Sequence, residues 1–274
     1  MSLTVAQALT ASHLDVIDAR ALLRHALGVD DAYLIANSSL VLTEDQSALF
    51  GALAARRTVG EPVAYITGLR EFFSLEFKVT PAVLIPRPET ELLAEVALEH
   101  IVVGGTSEVL DLGTGSGCIA ITVASLRPGA RVTAVDTSMD ALAVARENAH
   151  LQAVKNLEVM QSDWFSALAG RRYNLIVSNP PYVAVGDPHL TRGDLRYEPP
   201  SALAADVDGL DCIRLIVAAA PQYLVRGGWL AFEHGWDQAA RCRDLLAQAG
   251  FARVFSRADL SGIARVSGGI WDRQ

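Results

Sequence analysis

Val109-Leu110-Asp111-Leu112-Gly113-Thr114-Gly115-Ser116-Gly117 is an apolar run that ends in a glycine-rich turn, and the helix-forming segment Cys118–Leu126 follows at once. A strand, a turn whose glycines let a ligand approach the backbone, and a helix together form the opening unit of a parallel α/β sheet. Downstream, strand-like and helix-like segments keep alternating: Arg131–Val135 then Met139–Leu151, then Leu157–Gln161 and Tyr173–Ser178. Asp211–Leu224 reads as a further helix, Gly228–Glu233 as a strand and Asp237–Ala249 as a helix, with Ala252–Ser256 and Ala264–Trp271 as closing strands. This alternation predicts a parallel sheet with helices on both faces.

The loop does not choose its ligand alone, since Gly115, Gly117 and Ala120 also fit the loose G-x-G-x-x-A form of dinucleotide sites. Asp111 discriminates. A carboxylate just before the loop repels a pyrophosphate and attracts the ammonium and sulfonium charges of S-adenosyl-L-methionine. Asp136 ends the second strand, where an acidic side chain accepts both ribose hydroxyls or caps the helix that begins near Met139. Asp163 and Trp164 follow the third strand, and an aromatic ring beside an Asp suits a flat adenine with its exocyclic amine; a core aromatic is the alternative. Asp111, Gly113, Thr114, Gly115, Ser116, Gly117, Asp136, Asp163, Trp164 and the nearby Asn179 are therefore the candidate cofactor residues.

Asn179-Pro180-Pro181-Tyr182 closes the buried strand Tyr173–Ser178, at the strand end where open α/β sheets bind ligands. Two prolines fix φ and remove two backbone donors, so the Pro180 carbonyl and the Asn179 side-chain oxygen form a stiff pair of acceptors. A planar –NH2 group has two hydrogens to offer them, and the Tyr182 ring is a surface on which a planar amide or base stacks. Asn179, Pro180 and Tyr182 are the candidate catalytic residues. The four residues 179–182, with Arg87 and Glu198, are the candidate substrate contacts. Arg87, Glu89 and Glu91 lie among prolines, where they close the pocket, select the substrate or form an acid-rich helix N-terminus. Glu198 either faces the mouth of the site or pairs near Arg196 on a loop.

The chain has 274 residues, 51% hydrophobic, enough for one large domain and a small one. Residues 1–59 are Ala- and Leu-rich at helical spacing, with Gly28 as a stop; residues 60–91 turn to Gly, Pro, aromatic and β-branched types, with a hairpin expected around Phe72–Val79; residues 92–274 carry the α/β alternation. With a net charge of −8 a duplex-binding surface is not the default, and no direct nucleic-acid binding is expected. Cys118, Cys212 and Cys242 lack metal-ligand spacing, and the six histidines show no i, i+4 pair, so no metal is expected and the cysteines read as packing residues. His234 and Trp236 read as structural. No apolar run approaches the length of a membrane span, and a cytoplasmic monomer is the expectation.

The chain carries, in order, Gly60-Glu61-Pro62-Val63-Ala64-Tyr65-Ile66-Thr67-Gly68, Glu71-Phe72-Phe73, Val83-Leu84-Ile85-Pro86-Arg87-Pro88-Glu89-Thr90-Glu91, Asp111–Gly117, Asn179–Tyr182 and Tyr197-Glu198-Pro199. In these stretches it resembles the class I S-adenosylmethionine-dependent methyltransferases, and within them the HemK/PrmC group. The resemblance implies a Rossmann-like α/β domain with a seven-stranded, mostly parallel sheet, plus a small N-terminal helical domain that recognises the substrate, joined by a β-hairpin linker. It implies methyl transfer from S-adenosyl-L-methionine, with S-adenosyl-L-homocysteine as product, to the glutamine amide nitrogen in the Gly-Gly-Gln motif of class I peptide chain release factors. Two stretches depart from the group's pattern: Ala205-Asp206-Val207-Asp208-Gly209-Leu210, and Ile263-Ala264-Arg265 after Asp259–Gly262. A ribosomal-protein glutamine and an exocyclic amine of nucleic acid are the rival acceptors, and a non-enzymatic module with this fold is the rival class. An intact Asn179 and its acceptor proline argue against the last.

Overall fold

The computed structural model describes residues 3–188 and 193–273. Among these, 3–69 with 193–197 form one compact unit, and 70–188 with 198–273 form the other.

The first unit is helical: α1 (Val5–Ala11), α2 (Val16–Leu27), α3 (Asp31–Ala36), α4 (Glu44–Thr58) and α5 (Val63–Thr67). Local chemistry sets the ends. Thr4 with Gln7, and Thr43 with Gln46, form reciprocal capping boxes, and Gly28 stops α2 in the left-handed conformation. Val5, Leu22, Leu23, Leu34, Leu42, Phe50 and Leu53 make the core, and Ile66 of α5, inside the stretch read as linker, packs with them. Arg57 ties the later segment to this unit by pairing with Asp18 at 2.6 Å and Asp194 at 2.8 Å.

β1 (Leu69–Phe72) and β2 (Leu75–Lys78) form the expected hairpin, whose turn residues Phe73 and Ser74 both have positive φ, as tight hairpin turns require. Then come α6 (Glu91–Glu99), β3 (Glu108–Leu112), α7 (Cys118–Leu126), β4 (Arg131–Asp136), α8 (Met139–Leu151), β5 (Leu157–Gln161), β6 (Tyr173–Ser178), α9 (Pro200–Leu203), α10 (Asp211–Ala219), β7 (Leu224–Glu233), α11 (Ala239–Ala249), β8 (Ala252–Ala258) and β9 (Ala264–Trp271). The sheet has seven strands in the order β5-β4-β3-β6-β7-β9-β8. β3 to β7 run parallel, and β9 runs antiparallel between β7 and β8. Two adjustments to the expected elements arise at Pro221. It has no N–H to continue a helix, so α10 ends at Ala219 and passes through a short 3-10 turn, and β7 begins at Leu224, not Gly228.

Alternate residues of the strands feed two cores. Val109, Val132, Ala134, Leu175 and Val177 pack with α6 and α7, while Leu110, Leu112, Val135, Ile176 and Phe232 pack with α10 and α11. Both faces are thus covered, as a parallel sheet requires. Strand order reverses between β3 and β6, and Leu112 pairs with Ser178 there, so the loops starting at Gly113 and Asn179 leave adjacent strand ends. At the sheet's other flank, a Cβ on Gly268 of β9 would come within 2.4 Å of the Leu230 carbonyl and 2.7 Å of the Phe255 ring. Gly268→Ala should therefore destabilise the protein by about 1–3 kcal/mol through overpacking, read as a lower denaturation midpoint with an unchanged m-value.

Candidate active site

The turn after β3 is held from the neighbouring strand. Gly113 and Thr114 N–H groups both donate to the Val135 carbonyl at 2.9 Å, and Gly115 N–H donates to Asp136 Oδ2 at 2.9 Å. Gly113, Gly115 and Gly117 all have positive φ, and nothing lies within 4 Å of where a Cβ on Gly115 would stand. Open space over that glycine is what a backbone-hugging ligand needs. Asp136 Oδ1 accepts from Ser138 N–H, and Ser138, not Asp136, caps α8. Each Asp136 oxygen thus spends one lone pair on the backbone and retains another for a hydroxyl.

A cavity opens over this turn, lined by Gly113, Thr114, Gly115, Ser116, Asp136, Ser138, Ser162, Trp164, Asn179 and Pro181, and from the segment before α6 by Pro86, Arg87 and Thr90. Trp164 stands over Gly113, 3.8 Å from where a Cβ would be, and its own φ is positive. Asp163 is exposed beside it and does not line the cavity. Gly117 lies under the turn instead, where a Cβ would meet Ile121 at 2.8 Å. A carboxylate at a strand end, a flat ring and an open glycine fit a nucleoside with an amino-acid arm.

Asp111 is below the cavity rather than in its wall. Its Oδ2 accepts from the Thr114 hydroxyl at 2.7 Å, and Oδ1 is buried with no hydrogen-bond partner. Burial pushes this carboxyl up to about 7, with Asp136 adding to the rise and the bonds from Thr114 and Ala120 opposing it. Burial likewise pushes the Cys118 and Cys242 thiols up to about 12, which makes them inert packing groups.

Asn179–Tyr182 is clamped from behind. Asn179 Nδ2 donates to Thr90 Oγ1 at 3.2 Å, which leaves Oδ1 as a free-standing acceptor by hydrogen-bond pattern. Pro180 is buried. The Tyr182 hydroxyl donates to Glu233 Oε1 at 2.9 Å, and its carbonyl accepts from Gln238 Nε2 at 3.1 Å. Burial first, then Glu233, raise the Tyr182 phenol, which stays protonated. Gly209, at positive φ, packs so close that a Cβ would come within 2.3 Å of the Tyr182 carbonyl. Arg87 and Glu198 pair with each other, and the fully buried Glu198 carboxylate also accepts from Ile85 N–H at 3.2 Å. Glu198 thus pairs with Arg87, and Arg196 donates to the Val59 carbonyl.

Glu91 accepts from Phe73 N–H at 2.8 Å and so braces the hairpin turn. Asn148, fully buried, bonds Lys78 in both directions and donates to the Ser116 carbonyl, which pins β2 to the glycine-rich turn. His234 is buried against Ser267. Asp206, Asp208 and Asp211 converge, yet Arg214 pairs with all three and Arg241 with Asp208, so the cluster is a charge-compensated loop clasp. Thr90, Glu233, Gln238 and Gly209 were not singled out by sequence reasoning. For Glu233 a signal existed, a lone acid ending the apolar run Trp229-Leu230-Ala231-Phe232.

The raised Asp111 carboxyl predicts a pH dependence. Between the unfolded value of 3.8 and about 7 the folded chain keeps a proton that the unfolded chain has released. The resulting stabilisation is complete below the unfolded value and lost as pH rises through about 7. The Tm of the wild type relative to Asp111→Asn should therefore rise as pH falls from about 8 to about 5, at roughly 2–4 °C per kcal/mol. Calorimetric scans that stay parallel across this range would contradict it.

Residues 88–192 match the methyltransferase small domain and residues 4–68 the PrmC N-terminal domain. A release factor glutamine methyltransferase of Burkholderia pseudomallei is 54% identical over 272 residues, spanning 97% of this chain and 95% of its own length. One of Xylella fastidiosa strain 9a5c is 49% identical across 92% of each chain. A methyltransferase from Pyrococcus furiosus, at 17% identity, superposes with a TM-score of 0.56 over 80% of this chain and 98% of that one, a likeness of fold. With half its residues shared along nearly its whole length, the chain belongs to the release factor glutamine methyltransferase family.

Proposed function

We infer that the protein methylates the side-chain amide nitrogen of the glutamine in the Gly-Gly-Gln motif of class I peptide chain release factors. The observation that carries this is 54% identity across 97% of the chain to a release factor glutamine methyltransferase, joined to an Asn-Pro-Pro-Tyr corner beside the cavity over the glycine-rich turn. S-adenosyl-L-methionine, when bound, supplies a methyl group on a sulfonium and leaves as S-adenosyl-L-homocysteine. Gly113, Gly115 and Ser116 would line its path, Asp136 would accept the ribose hydroxyls and Trp164 would cover the base. Asp111, unpartnered at Oδ1 beneath the turn, would favour the positive arm in its ionised form, above a pH of about 7.

An amide nitrogen is a poor nucleophile because its lone pair is shared with the carbonyl, so positioning is the main resource. Asn179 Oδ1 and the Pro180 carbonyl accept its two hydrogens, and Tyr182 forms the wall that orients the amide plane. The same acceptors bind more strongly as positive charge develops on nitrogen, which is where the rate gain arises. No strong base is needed beforehand, because the alkylated nitrogen is acidic and releases its proton afterwards. Arg87, fixed by Glu198, faces the cavity and guards its mouth.

A release factor offers its glutamine on an exposed loop, so no base need be extracted from a stack, and a net charge of −8 does not suit a nucleic-acid groove. The helical unit is the substrate-recognition part, one chain carries every group named, and translation factors make the cytoplasm the working compartment. Among the described residues no helix is long and apolar enough to cross a membrane.

Purified protein with labelled donor should label a release factor at its Gly-Gly-Gln glutamine, and not ribosomal protein or DNA. Label on DNA alone would overturn the reading. Asn179→Ala should lower kcat by about 10²–10³-fold with donor affinity largely kept, the loss expected for removing one oriented polar partner. Near-normal turnover would remove Asn179 from its role.

A further inference from the structure

Pro180 and Pro181 offer no N–H, so the acceptor corner cannot be held by the ladder bonds that hold a strand. Its entry is fixed all the same, because Ser178 pairs with Leu112 on one side and Phe232 on the other. Its exit is tied elsewhere. Val183 N–H donates to the Leu203 carbonyl at 3.1 Å, Ala205 N–H to the Val183 carbonyl at 2.9 Å and Val185 N–H to the Asp206 carbonyl at 2.9 Å. These bonds join the exit to residues 203–206, which run into the stretch Ala205–Leu210 that departs from the group's pattern, and not to the sheet.

A tie to the sheet comes from Gln238, 5% exposed, at the start of α11. Gly235 N–H, just beyond the end of β7, donates to Gln238 Oε1 at 2.8 Å, which turns Nε2 the other way. Nε2 donates to the Tyr182 carbonyl at 3.1 Å and to the Gly209 carbonyl at 3.4 Å. A backbone N–H only donates and a carbonyl only accepts, so these partners allow the side-chain amide one orientation. The close approach needs a glycine at 209, where a Cβ would stand 2.3 Å from the Tyr182 oxygen and 2.8 Å from Gln238 Nε2. The loop that carries Gly209 is braced in turn, since Leu210 N–H donates to Asp206 and Asp208 and Arg214 pairs with both carboxylates.

We propose that Gln238 is a positioning residue for methyl transfer: by bridging the Tyr182 and Gly209 carbonyls from Gly235, it fixes the exit of the corner and so the aim of Asn179 Oδ1 and the Pro180 carbonyl. Two fixed points, Ser178 at the entry and the Tyr182 hydroxyl on Glu233, leave the corner an axis about which to swing. The Tyr182 carbonyl is the third point, and holding it removes the swing. Without the amide, two carbonyl oxygens share one space with no donor between them, and their repulsion parts the corner from the loop.

This rests on the functional reading above, and full-length wild type with release factor is the control that separates the two. If wild type transfers no methyl group to the release factor, that reading falls and this inference with it. Given an active wild type, Gln238→Met keeps the length of the side chain and removes its hydrogen bonds. Its kcat should fall by about 10–100-fold, with KM for the release factor and donor Kd near wild type and Tm well above the assay temperature. The distinguishing readout is the same change in an Asn179→Ala background. A residue that acts through the corner matters less once the corner has lost its acceptor, so there the further loss should be below about threefold. A residue that only supports the fold would cost the same in both backgrounds. Should Gln238→Met not fold, Gln238→Glu takes its place in the same cycle, since it keeps the shape and the bond from Gly235 and has at most one proton to offer two carbonyls. Wild-type kcat in the folded variant, or equal losses in both backgrounds, overturns the inference and leaves the functional reading standing.

Discussion

The backbone pairing of Leu112 with Ser178 is the constraint on which the rest of the site depends. It joins β3 to β6 where the strand order reverses, so no crossover helix covers the crevice above those two ends. The turn at Gly113 and the corner at Asn179 rise from that junction as neighbours. A one-residue slip of either strand would turn Asp111 and Val177 toward the opposite core and carry the corner away from the turn. The two packed faces of the sheet resist that slip, because alternate residues of β3 and β6 are committed to different helices.

Rigidity at the corner has two sources of different kinds. Pro180 and Pro181 are covalent: they remove freedom before any tertiary contact forms. Gly209, Gln238, Glu233 and Thr90 act later, each from a different part of the chain, and each fills one remaining degree of freedom. Together they make a short motif into a site held at both backbone and side chain, which is what a reaction governed by positioning requires. The glycine-rich turn follows the same plan, with its own conformation set by glycines and its place set by Val135, Asp136 and Asn148.

Much of this was legible along the chain. The strand-turn-helix pattern, the hairpin, the acid at the end of β4 and the corner at 179–182 all announce themselves through local periodicity, glycine and proline. Glu198 did not. Its partner Arg87 lies 111 residues away, and nothing near Glu198 distinguishes a buried ion pair from a surface one. Asp111 was legible as an acid before the turn but not as a buried one, since its burial depends on α7 and the core beside it. Pro221 carried a local stop signal for α10, and the longer reading passed over it.

Residue order alone therefore dictates the elements, the turn and the pair of acceptors, because those follow from φ restriction, hydrophobic period and missing backbone donors, all of which act within a few residues. Packing alone decides which way the Asn179 amide faces, how far Asp111 is cut off from water and which cation neutralises Glu198. Those are properties of groups brought together across tens to hundreds of residues, and the energies involved, unmet hydrogen bonds and buried charge, exist only once water has been excluded.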